Sequence, residues 1–187
     1  MDNVLLLRKI EKLEKLSKEL GFSKTFFLED FSLIEEENNK VLLKKIQQAK
    51  QQKKISICIP KTEETLRFLL EKTPADMILG VENIHPKDSV HYPRSGLNQV
   101  LCNLAAEKNK IIAFSFRDIL QVQGMQRSKL MNRMMFNIKL CQKFKVKMFF
   151  SNFSSATEEM RSARDLLSFW QLLGGRKKEE MELSIFF

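Results

Sequence analysis

Residues 55–81, ISICIPKTEETLRFLLEKTPADMILGV, contain one complete strand–helix–strand unit. Ile55–Ile59 places isoleucine at every second position, an alternation that is typical of a strand. Thr62 is suited to cap a helix that ends near Lys72, because the two glutamates after it favour the positive end of the helix dipole. Asp76–Val81 is the next apolar run and predicts the following strand.

The same alternation of strand and helix extends in both directions from this unit. Further strands are predicted at Val4–Leu7, Thr25–Leu28, Ile111–Phe116 and Val146–Phe150, and helices at about 8–20, 35–52, 95–108, 126–144 and 158–173. After Arg176 we expect a short charged helix and a closing strand over Leu183–Phe187.

Six or seven strands that alternate with helices predict an α/β fold of parallel β-α units with right-handed crossovers. Periodicity alone leaves two architectures open, a small barrel and a doubly wound open sheet. Because no linker rich in Pro, Gly or Ser interrupts the pattern, we predict a single domain over residues 1–187.

The composition is that of a basic protein with enough apolar residues for a large core. Of the 187 residues 43% are hydrophobic, the net charge is +9 and the pI is about 9.5. Such a surplus of bases indicates a polyanionic partner, of which nucleic acid is the commonest. A basic protein without such a partner is the alternative.

The basic residues are concentrated where acids are missing, since no Asp or Glu occurs between Asp118 and Glu158. With about 100° per residue, the helix predicted over 126–144 has an apolar face made of Leu130, Met131, Met134, Met135, Ile138 and Cys141. The opposite face holds Lys129, Arg133, Lys139 and Lys143, with Phe136 and Leu140 among them. A basic face without acids is suited to a phosphate backbone, whereas an ordinary solvated helix surface is the other interpretation.

Sequence motifs for catalysis or metal binding are missing. The two histidines, His85 and His91, have no closely spaced partner set, and no Gly-rich phosphate loop or nucleophile elbow occurs. The cysteines Cys58, Cys102 and Cys141 lie far apart in apolar runs, which predicts reduced core residues rather than disulfides. Without a signal sequence or an apolar run of membrane-spanning length, we expect a soluble cytoplasmic protein.

Three stretches between Asp88 and Asp165 occur in a characteristic order and spacing. They are Asp88 with HY at 91–92 and RSGLN at 94–98; IAFSFR at 112–117; and Arg127, Met134–Met135 and Lys143–Val146, followed by MRSARDL at 160–166. In this order they resemble the family of ribonuclease P protein component 3. The resemblance covers about half of the chain, whereas the N-terminal half agrees only in the order of its elements.

This resemblance implies a TIM-barrel-like fold related to metal-dependent phosphoesterases of the polymerase and histidinol phosphatase group, but without their metal ligands. Because an eight-fold barrel averages about 250 residues, the barrel would be trimmed or irregular. It also implies a non-catalytic, RNA-binding subunit of ribonuclease P. Such a subunit pairs with the ferredoxin-like component 2, joins other protein subunits and supports the ribonuclease P RNA.

The resemblance further implies that the RNA performs the reaction, the removal of the 5′ leader from precursor tRNA. We therefore expect no catalytic residue, metal or cofactor in this chain, magnesium on the partner RNA, and precursor tRNA as an indirect partner.

Eleven basic residues at helix surfaces, helix ends and strand ends are predicted to contact RNA: Arg67, Arg94, Lys108, Arg117, Arg127, Lys129, Arg133, Lys139, Lys143, Arg161 and Arg164. Arg94 could instead bind a carboxylate such as Asp88, and Arg117 could pair with a neighbouring acid. Arg161 and Arg164 flank the start of a helix, where a base opposes the helix dipole, so phosphate contact would explain them.

Two other functions stay open on the sequence alone. A metal-dependent phosphoesterase of the same barrel group would bind a stoichiometric metal ion. An assembly protein that touches only other proteins would leave RNA binding unchanged after charge reversal on the basic helix.

Overall fold

A computed structural model describes residues 1–176 and residue 183. Within them seven strands occur, and every pairing between them is parallel: β1 (Asp2–Val4), β2 (Lys24–Phe26), β3 (Phe31–Ile34), β4 (Ile55–Cys58), β5 (Met77–Leu79), β6 (Ile111–Ser115) and β7 (Lys147–Ser151). Strands β3 to β7 form a five-stranded sheet in sequence order, and β1 pairs with β2. The predicted α/β fold with a parallel sheet is confirmed.

Seven α-helices occur in the same part of the chain: α1 (Glu11–Glu19), α2 (Asn39–Gln51), α3 (Glu63–Lys72), α4 (Gln99–Glu107), α5 (Phe116–Gln121), α6 (Gly124–Phe144) and α7 (Ala163–Leu172). The predicted cap of α3 is present, since the Thr62 hydroxyl accepts the Thr65 N–H at 3.1 Å. Asn38, Asn98 and Ser162 cap α2, α4 and α7 in the same way. These caps explain why the three helices start several residues later than predicted.

Strand β3 differs from the prediction, which places no strand directly after Leu28. A tight turn precedes it, in which the Asp30 carboxylate accepts the Phe27 N–H at 2.8 Å and the Asp30 N–H donates to the Phe27 carbonyl. The turn lets β3 follow β2 without a helix between them. The predicted C-terminal helix and closing strand lie outside the described residues, apart from Leu183.

The chain segments that follow β1 and β7, the first and last of the described strands, are joined although they are far apart in sequence. Leu5 and Ser154 form a parallel bridge, and the Leu6 N–H donates to the Ser154 carbonyl at 2.8 Å. The Val4 N–H donates to the Ser151 hydroxyl at 2.9 Å. Among the described residues β2 and β3 do not pair, so the two sheets are connected on one side and separate on the other.

A buried polar network around Asn3 fixes this junction. The Asn3 amide oxygen accepts from the Asn152 amide at 3.0 Å, and the Asn3 amide nitrogen donates to the Ser17 hydroxyl at 3.3 Å. Asn152 also exchanges two hydrogen bonds with the backbone of Arg161. Because an unpaired buried polar group is costly, these residues stabilise one relative position of β1 and β7.

One apolar cluster receives a buried side chain from every strand. Its members are Val4, Phe26, Phe31, Ile57, Met77, Leu79, Ile111, Ala113, Phe149, Phe153 and Leu183. All seven strands therefore face a shared core, which extends across the two sheets.

A larger cluster lies between the sheets and the helices. There the indole of Trp170 in α7 stacks on the Phe150 ring of β7 with 5.1 Å between the ring centroids. The three cysteines are buried thiols of the core and not parts of disulfides, as predicted. No helix in the described ranges is long and apolar enough to cross a membrane.

Candidate nucleic-acid interface

Helix α6 carries the largest group of bases predicted to contact RNA. Leu130, Met134, Ile138 and Cys141 on one side of the helix are buried, as the periodicity predicts. The bases fall into two groups, one in each half of the helix. Those in the first half bind groups of this chain, whereas those in the second half are exposed to solvent.

Arg133, in the first half of α6, is buried, with only 4% of its surface exposed. Its Nε donates to Oδ1 of Asp88 at 2.7 Å, and its Nη1 donates to the carbonyls of Glu82 and His85 at 2.8 and 2.6 Å. Charge-assisted bonds of this kind are among the strongest hydrogen bonds in proteins. They hold the loop 82–98 against α6.

Asp88 is ionised in this arrangement. Burial by itself raises the pKa of its carboxyl, but hydrogen bonds from the Arg94 N–H and the Arg133 guanidinium outweigh burial and lower that pKa. The Arg133 charge is thereby neutralised within the chain.

The predicted faces of α6 are wrong for two residues. Arg133, predicted among the exposed bases, is buried, and Met135, predicted in the core, is 45% exposed. The helix is covered by the loop 82–98 as well as by the sheet. Its buried surface therefore also includes Arg133 and Asn137. The Asn137 amide donates to the Ser95 carbonyl at 2.8 Å and completes this contact.

The other bases in the first half of α6 are also engaged within the chain. The Arg127 Nε donates to the carbonyls of Ile119 and Val122 at 3.1 and 2.8 Å, at the end of α5. The Lys129 ammonium donates to the Pro86 carbonyl at 3.0 Å and lies 3.8 Å from the Asp88 carboxylate. This half of the helix therefore uses its charge to fasten neighbouring loops.

A buried carboxyl lies behind the Arg133 contact. Glu82 is fully buried, and neither of its carboxyl oxygens has a hydrogen-bond partner within the described part of the chain. Burial, together with the smaller effect of the nearby Asp118 carboxyl, raises the pKa of Glu82 to about 8. Burial also raises the pKa of Asp118. Glu82 is consequently a neutral acid at pH 7.

Gly96 allows the loop to approach this site closely. Its φ is +88°, a conformation that residues with a side chain rarely adopt, and a Cβ there would lie 2.1 Å from the Val81 carbonyl oxygen. Any other residue at this position would push the loop away from residues 81–83.

The second half of α6 presents its bases to solvent. Lys139 and Lys143 are exposed, one helical turn apart, and neither has an acidic partner in the part of the chain that the structure describes. They line a hollow of about 390 Å³ together with Phe136, Leu140, Gln142 and Arg176. The Gln142 amide donates to the Gly174 carbonyl at 2.8 Å, which places the end of α7 beside this hollow.

A second hollow of about 760 Å³ lies between α6 and the loop 82–98. Phe136 and Leu140 line it too, so that both hollows share one apolar wall. Its other walls include Tyr92 and Arg94. At one edge the His85 imidazole lies 2.7 Å from the Glu63 carboxylate.

The structure does not bring the eleven predicted residues into one patch. Arg67 pairs with Glu71 at 3.4 Å along α3, and Arg117 lies 3.5 Å from the Glu159 carboxylate, a pairing with an acid that the sequence left open. Arg161 donates to two preceding carbonyls at 2.9 Å. These three bases therefore have partners within the chain.

The remaining predicted residues differ in how far they are available. The Arg94 backbone N–H binds Asp88 at 2.9 Å, while its guanidinium lies 3.8 Å from the Glu63 carboxylate. Lys108 ends α4 and Arg164 lies in the first turn of α7, and both are exposed. RNA contact by any of the eleven residues stays a prediction.

Three residues that could contact an RNA, Lys87, Tyr92 and Arg176, line the hollows but are missing from the predicted set. Lys87 and Tyr92 lie in the loop 82–98, whose prolines and polar residues indicate only a connection, and Arg176 follows two glycines after α7. Besides Phe136 among the bases of α6, an aromatic Tyr92 in a loop just before the RSGLN stretch is a signal in the sequence that could have drawn attention to this surface.

Among the described residues no group of three or more His, Cys, Asp or Glu side chains is arranged to hold a metal ion.

Comparison with known proteins gives relatives for one segment of the chain. No family model matches. Over 88 residues the chain is 31% identical to ribonuclease P protein component 3 of Methanosarcina barkeri, 28% to that of Methanosarcina mazei and 30% to that of Methanosarcina acetivorans. The chain is similar to ribonuclease P protein component 3.

The match to component 3 spans only part of this chain and part of each relative. It includes 47% of this chain and only 37% of each of these relatives. The fold gives a wider match, to a chain in a cryo-EM structure of archaeal ribonuclease P with mature tRNA, with a TM-score of 0.77 over 94% of this chain and 83% of that chain. At 20% identity this likeness shows a shared fold. The resemblance to component 3 found in the sequence is confirmed.

Proposed function

We propose that this chain is a protein subunit of ribonuclease P that binds RNA and has no catalytic residue of its own. The observation that carries the proposal is the similarity to component 3, joined to a fold that matches a chain of archaeal ribonuclease P. In this role the chain is one domain of a ribonucleoprotein that processes tRNA.

The bases on the second half of α6 supply the chemistry that this role needs. Lys139 and Lys143 are exposed on a helix that contains no acid, so each can neutralise a phosphate and release counterions. Contacts of this kind position an RNA without reading its sequence, and they reduce the repulsion between its folded strands.

The reaction itself is assigned to the RNA. In this proposal the partner RNA, with its bound magnesium, removes the 5′ leader from precursor tRNA, and this chain needs no cofactor. Precursor tRNA is then an indirect partner.

The proposal extends to the architecture and the partners. The shared core of all seven strands and the bridge between Leu5 and Ser154 support a trimmed, incompletely paired barrel. Component 2 and other protein subunits are the protein partners, and the cytoplasm is the compartment.

The decisive experiment is cleavage of precursor tRNA by a ribonuclease P RNA at low magnesium, with component 2 present and this chain added or omitted. We expect the pair of proteins to restore cleavage that the RNA alone does not give at that magnesium concentration, because protein bases replace part of the screening by magnesium. Without the RNA, neither protein should cleave.

Charge reversal separates RNA binding from protein assembly. The double variant Lys139→Glu, Lys143→Glu should weaken RNA binding by the assembled proteins, whereas Lys12→Glu, Lys15→Glu on the exposed side of α1 is the matched control. Unchanged RNA binding by the α6 variant would favour an assembly protein. Cleavage that is indifferent to this chain would sink the proposal, and a stoichiometric metal with phosphatase activity would support a phosphoesterase instead.

A further inference from the structure

The two hollows beside the second half of α6 meet at an exposed aromatic ring. Phe136 and Leu140 belong to the wall of both hollows, and Phe136 is 40% exposed. Lys139 and Lys143 follow Phe136 at three and seven positions along the helix, so all lie on one side of it. An apolar wall with bases beside it therefore separates two concave surfaces.

The charges around the hollows favour an anionic occupant. Among the described residues, the smaller hollow is lined by the exposed bases Lys139 and Lys143 and by no acidic residue. Two acids line the larger one, but Asp88 is already bound by Arg133 and Lys129. Lys87 and Arg94 contribute positive charge on that side.

An aromatic ring beside bases matches the requirements of an unpaired RNA strand. Proteins bind single strands by stacking bases on aromatic side chains while a positive groove follows the phosphates. A duplex keeps the faces of its bases covered inside the stack, so it gains nothing from Phe136. A protein partner fits less well, because the cores of protein interfaces are depleted in lysine.

We propose that these two hollows bind an unpaired RNA segment, with one base stacked on Phe136 and the adjoining phosphates against Lys139 and Lys143. The inference rests on the proposed function and names the form of RNA that this surface takes. Tyr92, which is 62% exposed on the far wall, provides a second ring for a neighbouring base.

The test uses the full chain and a single-stranded RNA of about ten nucleotides that carries 2-aminopurine, whose fluorescence falls when the base stacks. We expect the wild-type chain to quench the fluorescence and to bind the single strand more tightly than a duplex of the same sequence. Phe136→Ala should weaken binding on the order of 10-fold and remove the quenching, as expected for the loss of one stacked base. Phe136→Tyr keeps a ring and should retain both.

Met135→Ala is the matched control, because Met135 is the neighbouring residue on α6 and is similarly exposed. Equal binding of the single strand by the Phe136→Ala and wild-type chains, or no quenching by the wild-type chain, would overturn the inference. The quenching is measured on the wild-type chain, so it tests the inference even if Phe136→Ala does not fold. Weaker binding of component 2 by Phe136→Ala, with RNA binding unchanged, would show a protein interface instead.

Failure of this inference and failure of the proposed function give different results. A wild-type chain that restores precursor-tRNA cleavage but neither binds nor quenches the single strand refutes the stacking site alone. A wild-type chain that fails to restore cleavage refutes the subunit role.

Discussion

Arg127, Lys129 and Arg133 in the first half of α6 and Lys139 and Lys143 in the second half lie in one acid-free stretch of sequence. The first three bind carbonyls and a carboxylate of their own chain, whereas the last two face solvent without an acidic partner among the described residues. For Lys129 and Arg133 the difference arises from Asp88 and the carbonyls of the loop 82–98, which are distant in sequence and close in space. A count of local charges therefore says little about which bases are available to a partner.

The largest effect is expected from Arg133→Met, which tests the first half of the helix. Removing the guanidinium takes the charged donor from the Glu82 and His85 carbonyls and one of two donors from the Asp88 carboxylate, which keeps the Arg94 N–H. We therefore expect a loss of about 3–5 kcal/mol in the free energy of unfolding. Urea denaturation measures this loss. Lys139→Met, an exposed change on the same helix, should stay within about 0.5 kcal/mol of wild type, and similar losses in both variants would contradict the comparison.

The next effect concerns Glu82 and the dependence of stability on pH. Because its pKa is raised in the folded protein, neutral Glu82 favours folding at acidic pH, and this contribution is lost as the pH rises toward about 8. One such proton makes the free energy of unfolding fall by up to about 1.4 kcal/mol for each pH unit.

Glu82→Gln removes this proton and should flatten the curve of stability against pH. Some dependence should remain, since Asp118 has a pKa shifted in the same direction. The exposed Glu107→Gln is the control, and thermal unfolding between about pH 5 and about pH 8 is the measurement. Parallel curves for wild type and Glu82→Gln would show that Glu82 ionises without cost.

A moderate effect on RNA binding is expected from Lys139→Ala combined with Lys143→Ala. If each lysine neutralises one phosphate, the slope of log affinity against log salt should become shallower by about 1.4–1.8. Titrations from about 50 to about 200 mM salt measure this slope. The pair Lys12→Ala, Lys15→Ala on α1 should leave it nearly unchanged, and an equal change in both pairs would mean that general charge, not the α6 surface, binds the RNA.

The smallest effect is expected from Lys129→Ala, which tests the boundary between the two halves. Lys129 is partly exposed and bonds the Pro86 carbonyl, so we expect a loss below about 1 kcal/mol in stability and no change in the salt dependence of RNA binding. A shallower slope of log affinity against log salt in Lys129→Ala would show that Lys129 contacts the RNA.

The sequence predicts the order of elements well where apolar periodicity is strong. Ile55–Ile59, the Thr62 cap and the core residues Leu130, Met134 and Ile138 agree with the structure. Strand β3 could not be predicted, since its separation from β2 depends on the turn made by Asp30. The starts of three helices were set by capping residues inside the predicted ranges.

The candidate site could be predicted only as a set of bases. Arg133 was assigned to solvent because periodicity contains no information about the loop 82–98, whose carbonyls lie about fifty positions earlier. The position of Phe136 among bases was visible, but the two hollows on its sides depend on tertiary packing.

The junction of β1 with β7 has a consequence for synthesis. The Val4 N–H and the Ser151 hydroxyl are 147 positions apart, so β1 and β2 have no partner sheet until the ribosome has released nearly the whole described chain. Strands β3 to β7 pair with neighbours in sequence and can assemble as they emerge. The β1–β2 pair therefore waits with an unprotected edge, and we expect slow synthesis or a truncation before Ser154 to increase aggregation.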